Sequence, residues 1–359
     1  MTHPLSLSRI INPNPGWYRG DFHAHTNFSD GVHTPLELLG IARTEGLDFF
    51  TITDHNTLDA YAHFGTPDDM LILPGNEVTT KLHGHFNVFG IQDEIDWCQS
   101  ATYPELTGEY DTFRKMMTHT ASLGLLNSIN HPCLPPWAWL DEDTPLDKVH
   151  CLEIWNDPSW PDNQTDNPKA VDLWTRWLNA GYRITAIGGS DYHRPGPTTK
   201  KSKRDARLSL PSTYVYVENL SGDAVLNALR KHRAYVSMGP QLQFQAKAAG
   251  QIFEIGDTIT LNASHINFTA HLSATEITET NGVAQIVKNG QVVVSRALDQ
   301  KGTALEFGIV IEPGAADWYR FEAWDEEGQL VALSNPIFVG AAPPPTLLTF
   351  GDFMNTGAE

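Results

Sequence analysis

Cysteine is nearly absent: Cys98, Cys133 and Cys151 are the only three in 359 residues, an odd number with no C-x-x-C spacing. A disulfide framework is therefore not expected, and reduced thiols in a cytoplasmic chain are the simpler reading. Long apolar runs are missing too. The opening MTHPLSLSRIINPNPGWYRG holds none of signal-peptide length, and no segment approaches a membrane span, so a soluble chain is expected. Positive charge is scarce: Lys and Arg number 24 against 43 Asp and Glu, a formal net charge of −19. A field of that sign repels nucleic-acid backbones and anionic membranes, so neither is expected as a partner. Carboxylates bound to divalent metals would remove part of that charge. No internal repeat, P-loop or Ser/His/Asp nucleophile arrangement is visible, and no covalent intermediate is implied.

At 41% hydrophobic, the chain can bury a sizeable core. Its length suggests two domains, with a single barrel of about 200–250 residues as the allowed exception. From Trp17 to about Pro240, short apolar runs alternate with helical stretches, which predicts βα units and a largely parallel sheet. Tyr18–His23 reads as a strand. Thr34, Pro35 and Glu37 supply an N-cap, a proline at the first helical position and a capping-box acid. Gly46 ends that helix, and LDFFTIT (47–53) is a continuous, buried-type strand. Further helices are expected near Thr112–Leu123 and Pro168–Ala180 and after Ser221, with strands at Leu125–Ile129, Val149–Trp155, Tyr182–Ile187 and Thr213–Val217. Beyond Pro240 the pattern becomes alternating (INFTAHL, AQIVKNGQVVVS, WYRFEAWD) with an Asn289-Gly290 turn, which predicts an antiparallel β-sandwich. The expected division is 1–240 for the barrel, 241–345 for the sandwich and 346–359 for an extended tail.

Fifteen histidines are distributed unevenly, and the informative ones follow apolar strands, where parallel sheets place functional loops. In order these are Asp21-Phe22-His23-Ala24-His25, Ser29-Asp30-Gly31, Thr53-Asp54-His55, Gly75-Asn76-Glu77, Gly84-His85, Asn130-His131-Pro132 and Gly188-Gly189-Ser190-Asp191-Tyr192-His193. An HxH pair on a strand end puts both imidazoles on one side, since side chains alternate with period two. That arrangement chelates a borderline metal such as zinc, manganese or iron, and Asp191/His193 repeats it with a carboxylate. Gly188 and Gly189 let backbone approach closely. A lone HxH more often marks ordinary polar surface than a site. Such motifs at six successive strand ends have no comparable packing explanation, and they predict metal binding.

DFHAHTNFSDG, ITDHNT, PGNEV, GHFNVFG, NHP and GGSDYH together closely resemble the motifs of the polymerase and histidinol phosphatase (PHP) superfamily of metal-dependent phosphoesterases, over roughly residues 17–240. LRKHRAYVSMGP with its β-rich extension looks most like the carbaryl-hydrolase-like branch. The resemblance implies an α/β fold, a distorted (β/α)7 barrel with metals at its C-terminal mouth, followed by the antiparallel β-sandwich. It implies that His23, His25, Glu77 and Asp191 hold a first metal, that Glu77 bridges to a second bound by His85 and His131, and that Asp30, His55 and His193 hold a third. Many relatives have His where Asp30 stands. The cofactors expected are thus two or three divalent ions (Mn, Zn or Fe), with Glu77, Asp191, His193 and Asp54 as catalytic residues.

Asp21 and Asp54, each just before a ligand, fit roles orienting imidazoles. His83 competes with His85, which wins by standing directly before the HFNVFG strand. Glu153, Asn156 and Arg194 end site-forming segments, where they would touch substrate or serve core and surface roles. Lys200, Lys201, Lys203 and Arg204 form the one basic cluster, a solvated loop that would also attract an anionic substrate. Trp137, Trp139, Trp155 and Trp160 would give the mouth an apolar wall. The reaction expected is phosphoester hydrolysis (mono-, di- or triester) by a metal-activated water. Carbamate or carboxylic-ester hydrolysis at the same cluster is the runner-up, and a non-catalytic metal-binding module the third reading. A small-molecule phosphoester or carbamate is the expected partner, and a homodimer is compatible with the accessory domain.

Overall fold

The computed structural model describes residues 6–80, 84–92, 110–260, 265–273, 282–299, 301–312 and 314–355; His83 and Cys98 lie outside them. Strands β1 (Gly16–Asp21), β2 (Phe49–Ile52) and β3 (Leu71–Thr79) run parallel. Helix α1 (Pro35–Thr44) crosses from β1 to β2 and starts where the local residues dictate: Glu37 N donates to the Thr34 hydroxyl, and Thr34 N donates to Glu37 Oε2 at 2.8 Å. Its Leu38, Leu39 and Ala42 are buried.

Strand β4 (His85–Phe89) pairs antiparallel with β3 and with β5 (Leu126–Ile129), before which lies α2 (Tyr110–Ser122). β5, β6 (Cys151–Asn156) and β7 (Thr185–Gly189) are again parallel. Between β6 and β7 runs α3 (Asn163–Asn179), which starts five residues before Pro168. Asn163 Nδ2 and Asn167 Nδ2, one turn apart, both donate to the Asn156 carbonyl at 3.1 and 2.7 Å and tie this helix to the end of β6. β8 (Ser212–Val217) pairs antiparallel with β1 and with β9 (Ala234–Ser237), and α4 (Gly222–Arg230) lies between β8 and β9.

The result is a mixed α/β protein with a strongly curled sheet in the order β9-β8-β1-β2-β3-β4-β5-β6-β7. It departs from a (β/α)7 barrel. Only residues 80–84 join β3 to β4, far fewer than the dozen or so a parallel crossover needs, so β4 must return antiparallel. Among the described residues no backbone ladder joins β7 to β8 or β9. Side chains close that seam. Thr213 Oγ1 accepts from Gly188 N and donates to Gly188 O, both at 2.8 Å. The Asn335 amide accepts from Ala186 N at 2.8 Å and donates to Ala186 O and Ala234 O at 2.9 and 3.0 Å.

The remaining strands are β10 (Leu242–Ala248), β11 (Gln251–Glu254), β12 (Thr258–Ile259), β13 (His265–Leu272) and β14 (Val283–Lys288). They continue with β15 (Gln291–Ala297), β16 (Thr303–Val310), β17 (Asp317–Trp324), β18 (Leu330–Ser334) and β19 (Ile337–Val339). An antiparallel sheet β11-β10-β13-β16 shares a core with the other layer: Phe244, Phe268 and Leu305 meet Ile286, Tyr319 and Phe321. Phe268 stacks on Tyr319 with ring centroids 4.5 Å apart. β13 alternates strictly, with Ile266, Phe268, Ala270 and Leu272 inward. The second layer is not separate from the barrel, because β18 pairs with β9 (Ala332 opposite Ser237). Where the sequence suggests an extended tail, Phe350–Asn355 forms a short helix, α5. Phe350 and Phe353 are buried against Trp177, which supplies the apolar area that holds it.

Candidate metal centre

Side chains from the ends of β1, β2, β3, β5 and β7 and from the start of β4 meet at one rim of the curled sheet. His85 reaches that rim because β4 is antiparallel, so its first residue lies beside Thr79, the last of β3. Glu77 lies inside β3 and not after it, and is fully buried. Its carboxylate is 3.3 Å from His23 Nε2, 3.5 Å from His25 Nε2, 2.9 Å from His55 Nδ1, 3.1 Å from His85 Nδ1 and 3.5 Å from His131 Nε2. Asp191 Oδ1 lies 3.2 Å from His23 Nε2 and 3.1 Å from His25 Nε2. Asp30 Oδ1 lies 3.1 Å from His193 Nε2 and 3.5 Å from His55 Nε2. Three groups of ligand-type atoms result: His25, Asp30, His55 and His193; His23, His25 and Asp191; and His55, Glu77 and His85. Shared His25 and His55 link all three. His131 borders the second and third groups, stacked against His23 with centroids 5.9 Å apart.

The fit to a cation is tested by His23. Its Nδ1 is 2.9 Å from Glu153 Oε1 and donates to it, which turns Nε2 toward the cluster. Nε2 makes no hydrogen bond, and it faces carboxylate oxygens of Glu77 and Asp191. Burial opposes a charge on this ring, but Asp191, Glu153 and Glu77 outweigh it and raise the imidazole well above its ordinary value. Positive charge therefore belongs at Nε2: a proton supplies it in the metal-free protein, and the donor set fits a divalent metal in the proton's place.

The electrostatics agree. Burial alone would raise Glu77 and Asp191, but the surrounding imidazoles hold both carboxyls well below the usual range. Burial, helped by His193 and His55, lowers His25 to about 3; burial also lowers His85 to about 4 despite Glu77. These two rings are neutral donors at neutral pH. At His55 and His193 the carboxylates of Glu77, Asp30 and Asp191 outweigh burial, raising them to about 10 and about 9.

Asp21 holds main chain, Asp54 holds the Thr26–Ser29 loop and reaches His25 Nδ1 through Ser29 Oγ at 3.4 Å, and Glu153 bonds the His23 ring directly. Asp21 accepts from the backbone N–H groups of His23, Ser190 and Ser209 at 3.1, 3.0 and 2.8 Å, joining the β1 and β7 ends. Asp54 accepts from Thr26 N and Ser29 Oγ, each at 2.7 Å, and from the Thr26 hydroxyl. Glu153 also accepts from His131 N at 2.8 Å. Asn130 Nδ2 donates to Glu77 Oε1 at 2.9 Å, and the Thr79 hydroxyl binds His55 Nδ1. Both positions carried a signal: Asn130 adjoins His131, and Thr79 lies two residues from Glu77 on the same strand face. Asn156 Nδ2 reaches Glu153 Oε2 at 3.1 Å and Asp191 Oδ2 at 3.4 Å. Gly189 allows the packing: a Cβ there would stand 2.4 Å from His23 Cβ and 2.7 Å from Glu153 Oε1.

The cluster opens into a cavity of about 520 Å³ whose far wall includes Leu134, Pro136, Trp137, Asp157 and Trp160, with Arg194, Thr198 and Ala206 at its edge. Trp137 and Trp160 meet edge to face, centroids 5.4 Å apart. Trp139 and Trp155 are buried in the core. The Gly196–Ala206 bridge closes a hairpin with Lys200, Lys201, Lys203 and Arg204 exposed along it; Arg204 lies 3.9 Å from Asp325. Cys133 and Cys151 are free thiols. Among the described residues no helix is long and apolar enough to cross a membrane.

No protein-family model and no curated protein matches this chain. Among solved structures, it is similar to a two-domain protein from Bacteroides vulgatus containing a predicted PHP-like metal-dependent phosphoesterase. That pair shares 18% identity over 92% of this chain and 98% of the other, with a TM-score of 0.47. It is also similar to an amidohydrolase from Chromobacterium violaceum with bound sulfate and no metal, at 15% identity over 53% of this chain and 91% of the other, with a TM-score of 0.35.

Proposed function

We propose that this chain is a metal-dependent hydrolase that cleaves phosphoester bonds at a cluster of two or three divalent ions. The observation that carries the reading is the buried imidazole of His23, whose Nε2 faces two carboxylates without a hydrogen-bond partner inside a linked set of nine ligand-type side chains on an open cavity. His23, His25, Glu77 and Asp191 would hold one ion, Glu77, His85 and His131 a second, and Asp30, His55 and His193 a third. Bound there, such ions polarise the scissile ester and make a water acidic enough to attack near neutral pH.

The chain's own groups do the positioning. Glu77 and Asp191 balance cationic charge from the centre of the cluster, and Glu153 fixes the tautomer and tilt of His23. Asp54 holds the Thr26–Ser29 turn and with it Asp30, and His193 is aimed by its Nδ1 bond to Asp191 O at 2.7 Å. Arg194, Lys200 and Lys201 would draw an anionic ester toward the mouth. The apolar wall of Leu134, Trp137 and Trp160 favours the second reading, an uncharged carbamate or carboxylic ester, in keeping with the carbaryl-hydrolase-like branch. An open cavity beside the cluster weighs against a purely structural metal module, whose sites are closed.

The test is elemental analysis of protein purified without chelator. It is followed by assay with added manganese or zinc on nitrophenyl phosphate mono-, di- and triesters, a naphthyl carbamate and a carboxylic ester. Two or more metals per chain with phosphoester turnover is the expected result. Turnover of carbamate or carboxylic ester alone would select the second reading, and neither metal nor turnover would sink both. His25→Ala should remove at least one metal and lower activity by about 100-fold or more while the circular dichroism spectrum stays unchanged. Full activity in that variant would rule out the assigned cluster.

A further inference from the structure

One carboxylate on the cavity wall takes no part in the metal cluster. Asp157 follows the last residue of β6, is only 7% exposed and has no arginine, lysine or histidine ion pair among the described residues. Ser159 Oγ and Ser159 N donate to its Oδ1 at 2.6 and 2.9 Å, and Thr198 Oγ1 donates to its Oδ2 at 3.3 Å. These donors stabilise the ionised form. A carboxylate accepts about two hydrogen bonds at each oxygen, so Oδ2 can take one more than the described residues give it.

A buried anion held by neutral donors alone still lacks a counter-charge. Arg194 stands at the edge of the same cavity but does not supply it. Its Nη2 donates to the Thr198 carbonyl at 3.1 Å, and among the described residues it makes no ion pair with Asp157. The cations of the cluster have Glu77, Asp191 and Asp30 as their own carboxylates. The charge that Asp157 lacks is therefore one that a molecule entering the cavity can bring.

The wall beside this carboxylate is aromatic. The Asp157 carbonyl accepts from Trp160 N and from Asn163 Nδ2, both at 3.1 Å, which fixes the turn that carries Asp157 and Trp160 together. Trp137 is 36% exposed and meets Trp160 edge to face, with their planes at 74°, so the two indoles form a corner. An indole face attracts an ammonium group through its quadrupole. A neutral alcohol could bond to the carboxylate but would gain nothing of that kind from the rings. An alkylammonium group gains from both, and its carbons fill the apolar space lined by Leu134 and Pro136. Asn156, one residue before Asp157, reaches Asp191 Oδ2 at 3.4 Å, so this corner adjoins the metal cluster.

We propose that the Asp157 carboxylate and the Trp137–Trp160 corner form a cation subsite, and that the substrate is a small-molecule ester carrying an alkylammonium group a few bonds from its scissile centre. The proposal rests on the hydrolase reading for the ester, whereas the subsite binds its cation with or without turnover. Asp157 supplies the charge, the indole faces select a cation over an alcohol, and the cluster beside them receives the ester group.

The experiment gives the metal-supplemented protein two esters of the accepted class, one of choline and one of its uncharged isostere 3,3-dimethylbutanol. The choline ester should have a KM at least about tenfold lower. In Asp157→Asn that ratio should fall to about threefold or less, and Trp137→Leu should also reduce it. Equal KM values in the unmodified protein, or an unchanged ratio in Asp157→Asn, would overturn the proposal. A second measurement needs neither variant nor turnover: choline chloride and 3,3-dimethylbutanol are titrated onto the unmodified protein and followed by saturation-transfer NMR. Choline should bind at least about tenfold more tightly, and equal affinities would overturn the proposal even where a variant fails to fold. If no ester is turned over while choline still binds selectively, the hydrolase reading fails and the cation subsite stands.

Discussion

The Glu77 carboxylate has five imidazole rings within 3.5 Å, and the backbone around it is shaped to permit this crowding. Asp191 and His131 sit at φ 50° and 27°, in the left-handed region that costs a non-glycine residue of order 1–3 kcal/mol. The hydrogen bonds of Asp21, Glu153 and Asn156 hold these turns against that cost. Gly189 is the tightest point. Gly189→Ala would push a methyl against the Cβ of His23 and the Glu153 carboxylate at once, with the His23 backbone nitrogen 3.1 Å away. We expect a loss of about 1–3 kcal/mol in stability, read as a lower urea midpoint, together with weaker metal retention. An unchanged midpoint and full metal content would show that β7 can shift without cost.

At the scale of elements, the decisive feature is the seam between β7 and β9, which a loop residue from beyond β18 bridges. The Asn335 amide makes three hydrogen bonds there, replacing a backbone ladder that the strands do not form. Replacing Asn335 with Ala removes the acceptor of the buried Ala186 N–H and a donor from the Ala186 carbonyl, while the Ala234 carbonyl keeps the residue-335 N–H at 3.1 Å. The cost should be on the order of 3 kcal/mol, measured by urea denaturation, with faster amide exchange along β7. A loss below about 0.5 kcal/mol would mean that water fills the gap. A second tie is Arg320 of β17. It lies 4.7 Å from the Trp174 ring and 5.0 Å from the Trp318 ring, pairs with Glu322 at 2.6 Å and reaches Thr175 on α3. Through these contacts the β-rich half braces the strands that carry Asp191 and His193.

For the whole molecule, the excess of 43 acidic over 24 basic side chains is partly a property of the site, because Glu77, Asp191 and Asp30 are paired there with histidines and not with lysine or arginine. Metal binding and folding should therefore be coupled. Dialysis against a chelator is expected to abolish hydrolysis and to lower Tm by about 5 °C or more, with both restored by manganese or zinc. A Tm indifferent to chelator in a protein that still loses activity would show that the cluster is assembled without help from its ions.

Much of this was readable from residues in order, because it depends on local rules. The Thr34-Pro35-Glu37 start of α1, the buried strand at 49–52, the alternation of β13 and the grouping of histidines at strand ends all follow from spacing within a few residues. So does the list of candidate ligands, since an HxH or DxH repeat declares its shared face through the period of the strand. What the sequence could not contain was anything set by meeting partners far apart in the chain. The antiparallel turn of β4, the Asn335 clasp, Glu153 behind the His23 imidazole, and the hydrogen bond from Thr198 to Asp157 each join segments that the chain brings together only on folding. Local pattern selects which side chains share a face. The closing of the sheet decides which faces meet, and that sets which donor satisfies which acceptor.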